Sequence, residues 1–195
     1  MSIKLVIGLG NPGPRYTKNR HNVGFQCLDE LARSKAIRLD KRLGYALVGE
    51  LDVDGSKVLL AKPQTFMNKS GDSVASLRRE LKAGPEEILV IYDDMDLPLG
   101  RIRVRPQGSS AGQRGVQSII ERLGTKTFPR IRVGVGRPLG ERFSRYEEDI
   151  IAWLISDFTT DEEAIMVRAR EQAAEAVIAV IKDGIEKATN QYNKL

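Results

Sequence analysis

The sequence predicts a single α/β domain of 195 residues in which helices flank a mixed, twisted β-sheet. Short runs rich in valine, isoleucine and leucine alternate with longer segments of helical periodicity. The Asp54-Gly55 pair between two of these short runs indicates a β-hairpin, which adds an antiparallel element to the sheet. No repeat, low-complexity tract or linker divides the chain, so we expect one domain over residues 1–195.

The predicted strands lie at residues 4–9, 45–53, 57–62, 88–92, 101–105 and 130–136, and the predicted helices at 23–34, 72–81, 115–123 and 161–182. Thr160, with Glu163 three residues later, predicts a capping box at the start of the last helix, and Gly184 predicts its end. The apolar residues of this helix fall near one stripe: Ile165, Ala169, Ala173, Val177 and Ile181.

Composition excludes several classes of protein. Cys27 is the sole cysteine, so neither an intrachain disulfide nor a cysteine-based zinc cluster can form. No apolar stretch approaches the roughly 18 residues of a membrane span, and the first residues lack the apolar run of a secretory signal. We therefore expect a cytoplasmic protein that does not enter a membrane.

Charge is unevenly distributed along the chain, whose net charge is +5. Residues 101–145 contain eleven Arg or Lys against Glu121 and Glu141, whereas residues 146–175 contain nine Asp or Glu against two Arg. This reversal predicts a basic face that meets a polyanion such as a nucleic acid, although solvated mixed charge is the ordinary alternative. Aromatic residues, at 6%, are too sparse for base stacking to be the main means of recognition.

A Gly-Leu-Gly-Asn-Pro-Gly run at residues 8–13 matches the spacing of a dinucleotide-binding loop. In that motif a helix opens at the glycines, but here Pro12 and Pro14 delay helical periodicity until about Val23. We expect instead a tight loop that carries Asn11 and His21 from the first strand toward a common crevice.

His21 is the only histidine, so an imidazole that titrates near neutral pH is available at one place in the chain. A surface or capping histidine is the alternative. Loops at residues 62–71, 92–98 and 108–115 also follow strand-like runs, and the strand ends of an α/β sheet are where functional sites collect.

These loops carry the groups that hydrolysis requires. An aspartate of the run Asp93-Asp94-Met95-Asp96 could orient the imidazole, and the amides of Asn11 and Asn68 could orient a water or donate to an oxyanion. The alternatives are metal binding or turn formation for the aspartates, which lack the ligand set of an EF-hand, and a helix N-cap for Asn68. No G-x-S-x-G elbow supports a serine hydrolase.

Four motifs in this order resemble bacterial peptidyl-tRNA hydrolases: the glycine run with Tyr16, Arg-His-Asn-Val-Gly at 20–24, Pro-Gln-Thr-Phe-Met-Asn-Lys-Ser-Gly at 63–71, and Asp-Asp-Met-Asp-Leu-Pro at 93–98. The resemblance extends from Lys4 to about Asn190. It implies a monomeric α/β enzyme, working without a metal or other cofactor, that cleaves the ester between a peptide and the 3′ end of tRNA.

By the same resemblance, His21 corresponds to the catalytic base and Asp93 to the carboxylate that orients it. Asn11 and Asn68 correspond to side chains that hold the peptide and the reacting water or carbonyl. The resemblance further assigns cleft-lining residues and basic residues that contact tRNA: Tyr16 and Met67 in the first group, Arg105 and Arg132 in the second.

One motif departs from the family pattern. Many members carry Gly-His-Asn-Gly where this chain has Gly112-Gln113-Arg114-Gly115. Gln113 can still donate and accept hydrogen bonds, and Arg114 could replace an amide contact to tRNA by a phosphate contact, so we expect altered affinity in a working enzyme. Residues 139–151 resemble the family's mobile lid.

A second class of function stays open at this stage. Relatives of this fold act in plant organelles as RNA-splicing cofactors, and an RNA-binding protein without turnover would use the same basic face. The joint presence of His21, Asp93, Asn11 and Asn68 favours the enzyme.

Overall fold

A mixed β-sheet forms the centre of the fold. The computed structural model describes residues 2–138 and 147–194, and within them the sheet has seven strands. The strands are β1 (Leu5–Gly8), β2 (Lys41–Leu43), β3 (Ala46–Val53), β4 (Ser56–Pro63), β5 (Ile88–Asp94), β6 (Ile102–Arg105) and β7 (Arg130–Gly134). They lie in the order β2-β3-β4-β1-β5-β7-β6. Parallel pairing joins β1 to β4 and β5, and β5 to β7, whereas β2-β3, β3-β4 and β6-β7 are antiparallel.

Helices cover both faces of this sheet. They are α1 (Val23–Ser34), α2 (Ser70–Leu81), α3 (Arg114–Leu123), α4 (Glu147–Leu154), α5 (Thr160–Asp183) and α6 (Ile185–Tyr192). Buried residues of α1, α5 and α6 form one core with one face of the sheet, and those of α2 and α3 form a second core with the other face. The predicted α/β fold with a mixed, helix-flanked sheet is confirmed, and β3 and β4 form the predicted hairpin around Asp54-Gly55.

The capping box of α5 was predicted one residue too late. The N-cap is Thr159, whose hydroxyl accepts from the backbone N–H of Glu162 while the Glu162 carboxylate accepts from that of Thr159. Consecutive threonines each precede a glutamate by three residues, so the sequence fits both registers. The structure favours the first because Glu162 also pairs with the buried Arg20 at 2.7 Å. Gly184 ends α5 as predicted.

The predicted stripe of α5 is only partly correct. Ala169, Ala173 and Val177 are buried, but Ile165 is 48% exposed and the neighbouring Met166 is buried in its place. Strand β2 and helices α4 and α6 were not predicted.

Parallel pairing brings the functional loops to one edge of the sheet. Because β1, β4 and β5 run in the same direction, their carboxyl ends lie side by side. Helix α1 then packs directly on β1. A Cβ on Gly8 would lie 2.3 Å from the Gly24 carbonyl oxygen, and one on Gly24 would lie 2.4 Å from the Ile91 carbonyl oxygen, so both positions require glycine. Between them the chain forms 3-10 turns at Pro14–Tyr16 and Arg20–Asn22, so no helix opens at the glycine run. This geometry differs from a dinucleotide-binding loop.

None of the helices in the described part of the chain has the length and apolar character needed to cross a membrane.

Candidate active site

Loops at the carboxyl edge of the sheet enclose a cavity of about 510 Å³. Polar side chains from three strand ends line one wall: Asn11 after β1, Asn68 after β4 and Asp93 in β5, together with His21 from the turn before α1. The α4 segment supplies an apolar part of the wall, consisting of Ile150, Ile151, Leu154 and Ile155. The four residues that the sequence singled out for chemistry therefore line one cavity.

His21 and Asp93 form a hydrogen-bonded pair in this cavity. The distance from His21 Nδ1 to Asp93 Oδ2 is 2.8 Å, and the side chains are 12% and 2% exposed. Burial lowers the pKa of His21, but the charge and hydrogen bond of Asp93 outweigh it, so the pKa lies above its ordinary value despite the opposing charge of Arg114. Nδ1 faces the carboxylate, which leaves Nε2 as the nitrogen available to a substrate or water.

Asn11 is held on three sides. Its side-chain oxygen accepts from the backbone N–H of Met67 at 2.8 Å. Its backbone N–H and carbonyl both bond to the side chain of the buried Asn22, each at 2.9 Å. Because the oxygen is committed to Met67, the amide nitrogen is the end that remains for a ligand in the cavity.

Asn68 is exposed and lies in the 3-10 turn Met67–Lys69. It is not the N-cap of α2: that position is Lys69, which makes no side-chain capping bond. Asn68 thus lies at the cavity without the capping role that the sequence left open.

Comparison with known proteins identifies the family. A family model described as "Peptidyl-tRNA hydrolase" matches residues 5–195. Proteins named peptidyl-tRNA hydrolase from Syntrophomonas wolfei and Aquifex aeolicus are each 44% identical to this chain, over 98% and 100% of it and over 100% and 98% of their own lengths. The crystal structure of peptidyl-tRNA hydrolase from Acinetobacter baumannii aligns with a TM-score of 0.89 at 31% identity, covering 98% of this chain and 94% of that one.

The chain belongs to the peptidyl-tRNA hydrolase family.

Of the two cleft residues expected from the family, one lies in the cavity. Met67 is 4% exposed and lines the cavity. Its backbone N–H donates to Asn11, and its sulfur contacts the side-chain amide of Gln113. Tyr16 lies in the turn Pro14–Tyr16 and is not part of the lining. Its hydroxyl accepts from Arg15, whose guanidinium lies 4.4 Å from the centre of the Tyr16 ring.

Arg114, where the chain departs from the family pattern, lies at the rim. It is the first residue of α3, and its guanidinium pairs with Glu147 at the start of α4. Both residues line the cavity. The lid expected at residues 139–151 falls partly on residues 139–146, which lie outside the described part of the chain, and its remaining residues belong to α4.

Arg105 and Arg132 lie on the neighbouring strands β6 and β7, outside the cavity lining. Val104 and Ile131 pack in the core on the α5 side, so Arg105 and Arg132 both project from the opposite face. Arg105 is exposed, and Arg132 donates through Nε to the buried Asp94.

Sequence reasoning missed the cluster around Arg20. This side chain is 3% exposed, donates to Glu162 at 2.7 Å and stacks on Trp153 with 3.6 Å between its guanidinium carbon and the ring centre. It anchors the turn that carries His21 against α4 and the start of α5. The apolar run at residues 150–155 was the available sign that this segment is buried against something.

Within residues 2–138 and 147–194, no three His, Cys, Asp or Glu side chains come together as a set of metal ligands.

Proposed function

We propose that this protein hydrolyses the ester bond between the peptide and the 3′ end of tRNA in peptidyl-tRNA, releasing free tRNA for reuse. One observation carries the proposal: the only histidine is hydrogen-bonded to a buried carboxylate in a cavity that also holds the amides of Asn11 and Asn68. An ester requires an activated water and a stabilised oxyanion, and this set of groups supplies both. Membership in the family supports the same substrate.

His21 acts as the general base. Asp93 holds the proton on Nδ1, so neutral Nε2 removes a proton from water as the water oxygen attacks the ester carbonyl. A tetrahedral intermediate forms, and the imidazolium is stabilised by the Asp93 carboxylate. The intermediate collapses as the carbon–oxygen bond to tRNA breaks, and the imidazolium returns the proton to the departing 3′ oxygen.

Asn11 and Asn68 act on the acyl group and the water. The Asn11 amide nitrogen points away from the bond that its oxygen accepts from Met67, so it can donate to the carbonyl oxygen as negative charge develops there. Asn68 positions the attacking water or the peptide. Because Asn11 is held by three hydrogen bonds, little reorganisation is needed when the charge develops.

The RNA part binds through charge. Arg105 and Arg132 contact phosphates near the acceptor end, and Arg114 contacts the 3′-terminal nucleotides, while Met67 shapes the cleft. We further propose that residues 1–195 act as one domain, as a monomer in the cytoplasm and without a metal or other cofactor.

The test is release of tRNA from diacetyl-lysyl-tRNA in the presence of a metal chelator, comparing the parent with His21→Ala. We expect chelator-resistant cleavage by the parent and a loss of at least about a hundredfold in kcat for the variant, because the general base is removed. tRNA binding by the variant, measured in parallel, serves as the control for folding.

Tight tRNA binding by the parent without any cleavage would instead support an RNA-binding protein that lacks turnover. Cleavage abolished by the chelator would refute the metal-free mechanism.

A further inference from the structure

Gln113 occupies a helix N-cap for which glutamine is an uncommon choice. It is 8% exposed, and its side-chain oxygen accepts from the backbone N–H of Val116 at 2.8 Å at the start of α3. Short side chains such as serine, threonine, aspartate and asparagine are preferred at this position. Capping therefore does not by itself account for the longer side chain.

The other end of the same amide reaches the catalytic pair. Gln113 Nε2 lies 2.9 Å from Asp93 Oδ1, while Asp93 Oδ2 holds His21 Nδ1 at 2.8 Å. Each carboxylate oxygen thus has its own partner, and Gln113, Asp93 and His21 form a continuous chain of hydrogen bonds. Since the Asp93 side chain is 2% exposed, an oxygen that lost its donor would be poorly compensated by solvent.

Close packing keeps the amide in this orientation. Gln113 Nε2 also lies 3.3 Å from Met67 Sδ. A Cβ on Gly115 would lie 2.5 Å from that sulfur and 3.0 Å from Gln113 Oε1, so the absence of a side chain at 115 lets these groups approach. Both ends of the glutamine are engaged within the protein, and it touches the reaction through Asp93.

We propose that Gln113 is a positioning residue for the hydrolysis: its amide fixes the Asp93 carboxylate and thereby the orientation and tautomer of His21. The inference rests on the function proposed above. Gln113 carries no charge, so it orients the pair without adding a titration of its own.

The first test is Gln113→Ser, which separates the two roles. Serine is a preferred N-cap, so α3 keeps its cap and the protein stays folded, but the hydroxyl is too short to reach Asp93 as well. The thermal midpoint should therefore fall only by what the lost bond to the buried Asp93 costs. We expect kcat to fall by about tenfold or more with KM nearly unchanged, because the carboxylate and imidazole lose their fixed geometry. A Gln113→Ser variant with parental kcat would show that Gln113 is a cap only and would overturn the proposal.

The second test does not depend on turnover. Because His21 is the only histidine, its imidazole signals can be followed by NMR through a pH titration of the whole protein. In Gln113→Ser the neutral imidazole should lose its preference for the Nδ1–H tautomer, which the chemical shifts of the two ring nitrogens report, because the Asp93 carboxylate is no longer fixed. An unchanged tautomer ratio would overturn the proposal even if the parent proved inactive on tRNA, whereas a changed ratio in an inactive parent would refute only the proposed function.

The Gln113→Ser variant leaves the other titratable groups around His21 in place. These are three carboxylates that line the cavity, each paired with an arginine, and Tyr92, whose pKa is raised by burial. The pairs are Asp94 with Arg132, Asp96 with Arg137 and Glu147 with Arg114.

Discussion

Asp93 reverses the effect that burial has on His21. Burial alone would lower the pKa of this imidazole, whereas the adjacent carboxylate raises it above the ordinary value. A general base must be neutral, so activity should rise as pH increases through the raised pKa. On the acid side of the pH–activity profile, the acid limb, we therefore expect activity to rise at a higher pH than it would with an ordinary histidine.

Replacing the carboxylate by an amide should move this limb in the opposite direction. In Asp93→Asn, burial and Arg114 both lower the pKa of His21 without the opposing charge, so the acid limb of kcat shifts to lower pH. The maximal kcat should fall by about a thousandfold or more, because the tautomer is no longer fixed. A pH series of kcat together with the imidazole titration measures both effects.

Asp54→Asn is the matched control for this change. It removes a carboxylate from an exposed ion pair with Lys182 at the β3-β4 hairpin, so both curves should stay parental. A similar pH shift in the two variants would mean that the overall charge of the protein, and not the contact between Asp93 and His21, determines the pH dependence of kcat.

Single residues with distinctive chemistry were predictable, but their hydrogen-bond partners were not. His21 was found because it is the only histidine, and Asn11 and Asn68 because they follow strand-like runs. Asp93 was chosen among three neighbouring aspartates through the resemblance to the family, and the structure places all four residues around one cavity. The bonds that hold them in place, such as Asn11 to Met67 and Gln113 to Asp93, join loops far apart in the chain. No local pattern specifies such contacts, because they depend on the relative positions of several loops after folding.

At the scale of elements, α4 lines part of the cavity, and an ion pair between Arg114 and Glu147 joins it to α3. Arg114 is 57% exposed and Glu147 is 72% exposed, so the pair contributes little to stability. Its consequence is functional: while Glu147 holds the guanidinium, Arg114 is less available to a phosphate.

Glu147→Gln should therefore strengthen substrate binding. We expect KM for diacetyl-lysyl-tRNA to fall by about twofold at low salt, because Arg114 no longer has a competing partner and the net charge is more positive. Glu148→Gln makes the same change of charge one residue along α4 and is the control for the general effect. If both variants lower KM equally, Arg114 does not contact the substrate.

The two helices that were not predicted share a physical cause. Helices α4 and α6 are each eight residues long, and isolated helices of that length are not stable in water. Helix α4 is held by tertiary contacts such as the bond from Trp153 Nε1 to the Gly136 carbonyl at 2.9 Å and the stacking of Arg20 on Trp153. The longer helices have an amphipathic pattern that is visible without those contacts, so they were predicted.

Across the whole molecule, the described part of the basic stretch, residues 101–138, does not form one free basic patch. Arg130 is buried and donates to the backbone carbonyls of Ser109, Lys126 and Phe128. Several other arginines are engaged in pairs with carboxylates: Arg114, Arg122, Arg132 and Arg137. Counting charges along the sequence thus overstates the positive charge that is available to RNA. Arg105 is exposed on β6 at the edge of the sheet, so we expect it to be one of the phosphate contacts.

The salt dependence of KM tests this view of the surface. Each phosphate contact to a nucleic acid releases condensed counterions, so losing one contact should reduce the slope of log KM against log salt concentration by about 0.7 to 0.9. We expect this reduction for Arg105→Gln, with kcat unchanged because Arg105 lies outside the cavity. Arg168→Gln makes the same change of charge at an exposed position of α5, on the other face of the sheet, and should keep the parental slope. Equal slopes for the two variants would mean that the protein attracts tRNA through its net charge of +5 and not through a defined contact at β6.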